Sequence, residues 1–117
     1  MVYLLMIYAD EADWTTKSEA EMTPIMRQHE QLEQDLRRAG KYRGCGGLAP
    51  TSAATTVRIR NGKPVITDGP YAETKEQFGG YYLVEATDLD EALSFAGRIP
   101  GVGNRAIEVR PVLDFRM

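Results

Sequence analysis

Apolar and polar positions follow several distinct rhythms along this chain, and each rhythm predicts an element. Residues 2–8, Val-Tyr-Leu-Leu-Met-Ile-Tyr, are apolar without a break and rich in branched and aromatic side chains. Such a run predicts a strand buried on both faces. Residues 10–17 are polar around Trp14 and predict a loop with one aromatic tucked inward. Ser18 and Glu21 then make a capping box, in which each side chain satisfies a free backbone N–H at a helix start. Met22, Ile25, Met26, His29, Leu32 and Leu36 follow at spacings of three and four, one stripe of a helix that Gly40 ends. Pro24 is tolerated in a first turn, and Thr23-Pro24 offers a second helix start with Thr23 as cap.

A short extended piece is expected around Tyr42 to Leu48. Thr55 to Arg60 alternates strictly, Asn61-Gly62 suits the two positive φ values of a type I′ turn, and Lys63 to Thr67 returns as a partner strand. Pro64 implies an edge position. Residues 68–79 form a polar connection with room for one helical turn. Residues 80–86 predict a strand apolar on both faces. Asp88 and Glu91 make a second capping box ahead of Leu89, Ala92, Leu93, Ala96 and Ile99, a second amphipathic helix stopped by Pro100-Gly101. Residues 105–112 close the chain as a strand.

This order, two helices with a mostly antiparallel sheet, predicts an α+β, ferredoxin-like split βαβ fold with an extra β-hairpin, one domain over residues 1–117. Two helices cover only one face of a sheet. Strands 2–8 and 80–86 are apolar on both, so the other face calls for a second copy of the chain. The expectation is a homodimer through the sheet face, resembling a dimeric α/β barrel.

Composition narrows the function classes. With 117 residues the chain holds one core. Its 43% hydrophobic and 26% charged residues are those of a globular protein rather than a disordered one. A net charge of −3 argues against a direct nucleic-acid partner. No run approaches the ~20 apolar residues of a membrane span, and the first strand lacks the flanks of a signal peptide. Cys45 is the single cysteine, so no internal disulfide can form and a cytoplasmic home is expected. One cysteine and one histidine do not make a Cys/His zinc site, and nothing in the sequence calls for a cofactor.

The run Asp68-Gly69-Pro70-Tyr71-Ala72-Glu73-Thr74-Lys75-Glu76-Gln77-Phe78-Gly79-Gly80-Tyr81-Tyr82 resembles the signature of the DGPF branch of the YCII-related family. Asp10-Glu11 after the first strand, the Gly46-Gly47-Leu48-Ala49-Pro50 segment, the hairpin and the closing Val109-Arg110-Pro111-Val112 fit the same resemblance. It implies a ferredoxin-like domain that dimerises face to face. One YCII-related protein is a dehydrochlorinase acting on a chlorinated, hydroxylated ring, and members of the DGPF branch often accompany extracytoplasmic-function sigma factors. Other members look as if they pair a first-helix histidine with an aspartate near the end of the second helix. His29 matches the histidine, whereas Arg98-Ile99-Pro100-Gly101-Val102 offers no acid where the aspartate would stand.

His29 is therefore the candidate general acid or base, against the competing reading of a histidine packed under the sheet. Asp68 is the candidate replacement for the missing acid, although an aspartate before Gly-Pro more often shapes a turn. Tyr71, Glu73 and Tyr82 are candidate ligand contacts. Tyrosines serve equally well in cores and interfaces, and Glu73 with Lys75 and Glu76 also reads as a solvated loop. Cys45, between glycines, shows no neighbouring base or cation in the sequence to activate it. Two functional expectations follow. One is an enzyme-like domain binding a small cyclic or carbonyl-bearing metabolite, with elimination or isomerisation chemistry at His29. The other is a non-catalytic ligand-binding or regulatory module tied to a sigma-factor circuit. A cofactor-free oxygenase of the dimeric barrel kind is a third, resting on fold analogy alone.

Overall fold

The computed structural model describes residues 1–113. The chain runs β1 (Val2–Ala9), α1 (Ala12–Thr15), α2 (Glu19–Arg38), β2 (Tyr42–Gly47), β3 (Thr55–Arg60), β4 (Lys63–Asp68), β5 (Gln77–Glu85), α3 (Leu89–Ala96) and β6 (Arg105–Pro111), with a short 3-10 turn at Thr51–Ala53. Four strands form one antiparallel sheet in the order β2-β5-β1-β6, and among the described residues β3 pairs only with β4. β1 and β2 both run against β5, so they are parallel to each other with β5 between them. β5 and β6 flank β1 in the same way. Two interleaved βαβ units result, an α+β arrangement compatible with the ferredoxin-like pattern.

The helix boundaries follow from local chemistry. Ser18 caps α2 as a full capping box: its hydroxyl accepts from the Glu21 N–H at 3.1 Å, while its own N–H donates to the Glu21 carboxylate at 3.0 Å. Pro24 sits inside one continuous helix, so no second start exists at Thr23, whose hydroxyl instead donates to the Glu19 carbonyl. Gly40, at φ +71°, ends α2 with the Lys41 N–H on the Leu36 carbonyl and the Gly40 N–H on that of Arg37, a Schellman motif. Residues 10–17 are not all loop. The Asp10 carboxylate accepts from the Ala12 N–H, and the one-turn helix α1 follows. α3 ends at Ala96, earlier than Pro100 suggests, yet Ile99 beyond it is 1% exposed and still belongs to the core.

Tyr3 and Leu5 of β1, Tyr82 and Val84 of β5, Leu32 and Leu36 of α2, and Ala92 and Ala96 of α3 make that core, between the helices and one face of the sheet. The opposite face carries Leu4 and Met6 of β1, paired with Leu83 and Tyr81 of β5, and the Tyr8 and Phe78 rings 5.5 Å apart. No element of the described chain covers it. The β3–β4 hairpin turns through Asn61 (φ 51°) and Gly62 (φ 76°), the two positive values of a type I′ turn. Val57 and Ile66 face each other across it and stay 55% and 70% exposed. The radius of gyration, 16.1 Å, exceeds the roughly 13 Å of a compact chain of this length, as a projecting hairpin requires.

Candidate functional site

The apolar stripe of α2 divides in two. Its C-terminal half, Leu32 and Leu36, packs into the core, while Met22, Ile25, Met26 and His29 line a cavity of about 410 Å³. The sheet opposite explains why the cavity exists. Gly47 of β2 pairs with Gly80 of β5, and Gly79 precedes it, so at these positions the two strands supply no side chains. A Cβ on Gly80 would come within 3.1 Å of the Gly46 carbonyl oxygen, a contact tight enough to hold glycine in place. A helix stripe over a glycine floor leaves space that close packing would otherwise fill. Trp14 of α1 forms one side of the cavity, and the segment after α3, through Pro100, Gly101 and Val102, forms another.

Two polar groupings face this space. In the first, the His29 Nδ1 and Tyr82 Oη atoms lie 2.6 Å apart, with the two rings nearly parallel at 13°. His29 is half-buried, and desolvation with the nearby Arg105 charge lowers its pKa below the ordinary 6.5. Burial raises the Tyr82 phenol well above its usual range. Both groups are thus neutral at pH 7. The second grouping joins Cys45, Tyr42 and Glu33. The Tyr42 hydroxyl lies 3.2 Å from Cys45 Sγ, which lies 3.4 Å from the Glu33 carboxylate, and Arg37 holds the other oxygen of that carboxylate at 3.0 Å. The bond to Cys45 pushes Tyr42 up to about 12, and burial raises the Cys45 pKa. Cys45 therefore stands as a thiol beside a carboxylate, a neighbour invisible in the sequence.

The sequence-derived candidates separate. His29 and Tyr82 meet in the cavity. Asp68 ends β4 opposite Thr55, and Tyr71 and Glu73 lie exposed in the following connection. None of the three lines the cavity. That connection contains no helical turn, and β5 begins at Gln77 rather than Gly80 because a register shift between Ile7 and Tyr8 lets the ladder continue past Gly79. The Tyr81 ring crosses Gly46, where a Cβ would sit 3.0 Å from its ring, on the uncovered face. Trp14 turns inward as its isolation in a polar stretch implied. Arg105, by contrast, reads in the sequence only as the first residue of a strand. Its guanidinium reaches back along the loop to the carbonyls of Ile99 at 2.9 Å and Gly103 at 3.4 Å. Among the described residues no three His, Cys, Asp or Glu side chains gather as metal ligands, and no helix is long and apolar enough to cross a membrane.

Comparison with known proteins finds likeness in sequence over nearly the whole chain. The family model of the YCII-related domain matches residues 1–116. An uncharacterized protein of Rhizobium meliloti (strain 1021) is 39% identical over 120 residues, covering 99% of this chain and 95% of that protein.

Proposed function

The chain belongs to the YCII-related family, and from that premise we propose that it binds a small metabolite in the cavity between α2 and the glycine floor, where His29 transfers a proton. The observation that carries this reading is the 2.6 Å contact between His29 Nδ1 and Tyr82 Oη at the wall of a largely apolar cavity. In this reading Nδ1–H donates to the Tyr82 oxygen, which fixes one tautomer and leaves the Nε2 lone pair free to take a proton. Tyr82 in this reading takes the orienting role that Asp68 was expected to fill. A neutral imidazole with a lowered pKa is a competent base at neutral pH, and an apolar wall strengthens its interaction with a developing charge. One acid/base residue suits elimination or isomerisation next to a carbonyl.

The second reading, a non-catalytic ligand-binding or regulatory module of the kind the DGPF resemblance links with extracytoplasmic-function sigma factors, is favoured by one observation. Among the described residues no carboxylate bonds to His29, and the stretch after α3 meets the cavity with proline, glycine and valine instead of an acid. The homodimer belongs to either reading. It is supported by the uncovered sheet face and by the exposed apolar side of the hairpin.

Hydrogen–deuterium exchange of carbon acids in D₂O separates the two readings without a known substrate. In a panel of small cyclic ketones and β-keto acids, the protein should accelerate exchange at the carbon next to the carbonyl. His29→Gln should lose about 100-fold or more of that acceleration, the usual worth of a general base. No acceleration for any member, together with saturable binding of some, selects the module.

A further inference from the structure

We propose that Arg105 is the anion-recognition residue of the cavity, and that the ligand is a one-ring or two-ring apolar molecule bearing a single carboxylate or comparable oxyanion. The inference rests on the cavity being a ligand site, as proposed above, and specifies its chemistry.

The loop before β6 is shaped to hold this guanidinium. Nη2 donates to the Ile99 carbonyl at 2.9 Å and Nη1 to that of Gly103 at 3.4 Å. The side chain lies so close across Gly101 that a Cβ there would come within 2.7 Å of its Cδ. Gly103, at φ +66°, sits in the left-handed region, where a larger residue would be strained. These contacts fix the side chain without neutralising it. None of the ion pairs among the described residues includes Arg105. Of the five N–H donors that a guanidinium carries, two are spent on carbonyls, and the rest remain for a ligand.

The rest of the lining completes the argument. Ile7, Trp14, Met22 and Met26 present apolar and aromatic surface, which suits the body of a small ring compound. A volume of about 410 Å³ falls within the roughly 300–1,000 Å³ of small-molecule sites. Two acids also border the space. Glu33 is held by Arg37, and Glu30, like Arg105, is exposed and outside the ion pairs among the described residues, so Arg105 is the positive charge of the lining that no ion pair neutralises. A planar carboxylate matches a guanidinium fork better than any neutral group does.

Phenylacetate and phenylacetamide share a shape and differ in charge, and the chain carries one tryptophan and one histidine, both at the cavity. Titrating each compound against Trp14 fluorescence and the His29 imidazole resonances reads binding at this site alone. At low salt phenylacetate should bind about fivefold or more tightly than the amide, the scale of one partly exposed charge pair, and the preference should shrink in high salt. Arg105→Gln should abolish the preference by weakening the acid alone. The salt arm needs only the native protein, so it decides the matter even where that variant folds poorly. Equal affinity for the two compounds, or a salt-insensitive preference, overturns the role of Arg105 and leaves the cavity as a ligand site. Failure of both to perturb either reporter removes the ligand site, and this inference with it.

Discussion

His29 and Tyr82 come from different halves of the chain, and only the antiparallel sheet brings them into contact. In the sequence each is legible alone: the histidine by its place on a helix stripe, the tyrosine by alternation in a strand. Their pairing is not, because it depends on which face of β5 lies under α2. Asp68 shows the opposite case. It stands out in the sequence beside Gly-Pro, but it ends a hairpin strand whose pairing with Thr55 directs the chain away from the cavity. The lowered His29 pKa has a consequence for stability. Above about pH 6.5 the imidazole is neutral in both the folded and unfolded chain and pH does not matter. As pH falls below that value the unfolded chain takes up a proton that the folded chain resists, so stability falls until the folded-state pKa is passed. Glu33, Asp35, Glu85 and Glu91, whose pKa values are also lowered, lose their contribution only in the more acidic range below about 4.5. Urea denaturation at pH 7.5 and 5.5 should therefore show a larger loss for the native protein than for His29→Gln. An equal loss in both would mean that the folded state does not resist protonating this ring.

At the scale of elements, periodicity and turn chemistry carried most of the reading. The capping box at Ser18, the glycine stop at Gly40 and the Asn61-Gly62 turn are local devices, and each appears where its residues stand. The departures have tertiary causes. β5 starts early because a register shift carries its glycines through the ladder, and ahead of the single turn α1 the Asp10 carboxylate accepts from the Ala12 N–H. The cavity was hidden for a related reason: Gly47 and Gly80 fall in segments read as extended, but that they lie side by side as a floor depends on the register of β2 on β5. The hairpin gives an element-scale prediction. Gly62 holds φ +76°, and Gly62→Val should cost about 1 kcal/mol or more of local stability. Because β3 pairs only with β4 among the described residues, the cost should appear as faster amide exchange across Thr55–Asp68 while the sheet amides of β1 and β5 keep their protection. Uniform loss of protection through both sheets would mean that the hairpin folds as one unit with the rest.

The whole molecule is flat, 18 Å in its thinnest dimension, which is one layer of helices on one sheet. Burying Leu4, Met6, Tyr81 and Leu83 against their counterparts would turn two such layers into a closed sandwich. That expectation came from strands apolar on both faces, and the topology supports it by leaving one face without a cover. Leu83→Lys, which sets a charge in the middle of that face without touching the cavity, should move the protein from dimer to monomer in light scattering. A native protein that stays monomeric at high micromolar concentration would contradict the dimer. The cavity lies on the other side of the sheet, so its chemistry can be tested in whichever assembly forms. The most direct measurement is an NMR pH titration of the His29 imidazole, whose signals no second histidine overlaps. A neutral base at the wall of an apolar cavity beside Arg105 should titrate below 6.5, and Arg105→Gln should raise that value by removing a nearby positive charge. A midpoint at or above 6.5, unmoved in Arg105→Gln, would put His29 in water or beside an acid and contradict the site described here.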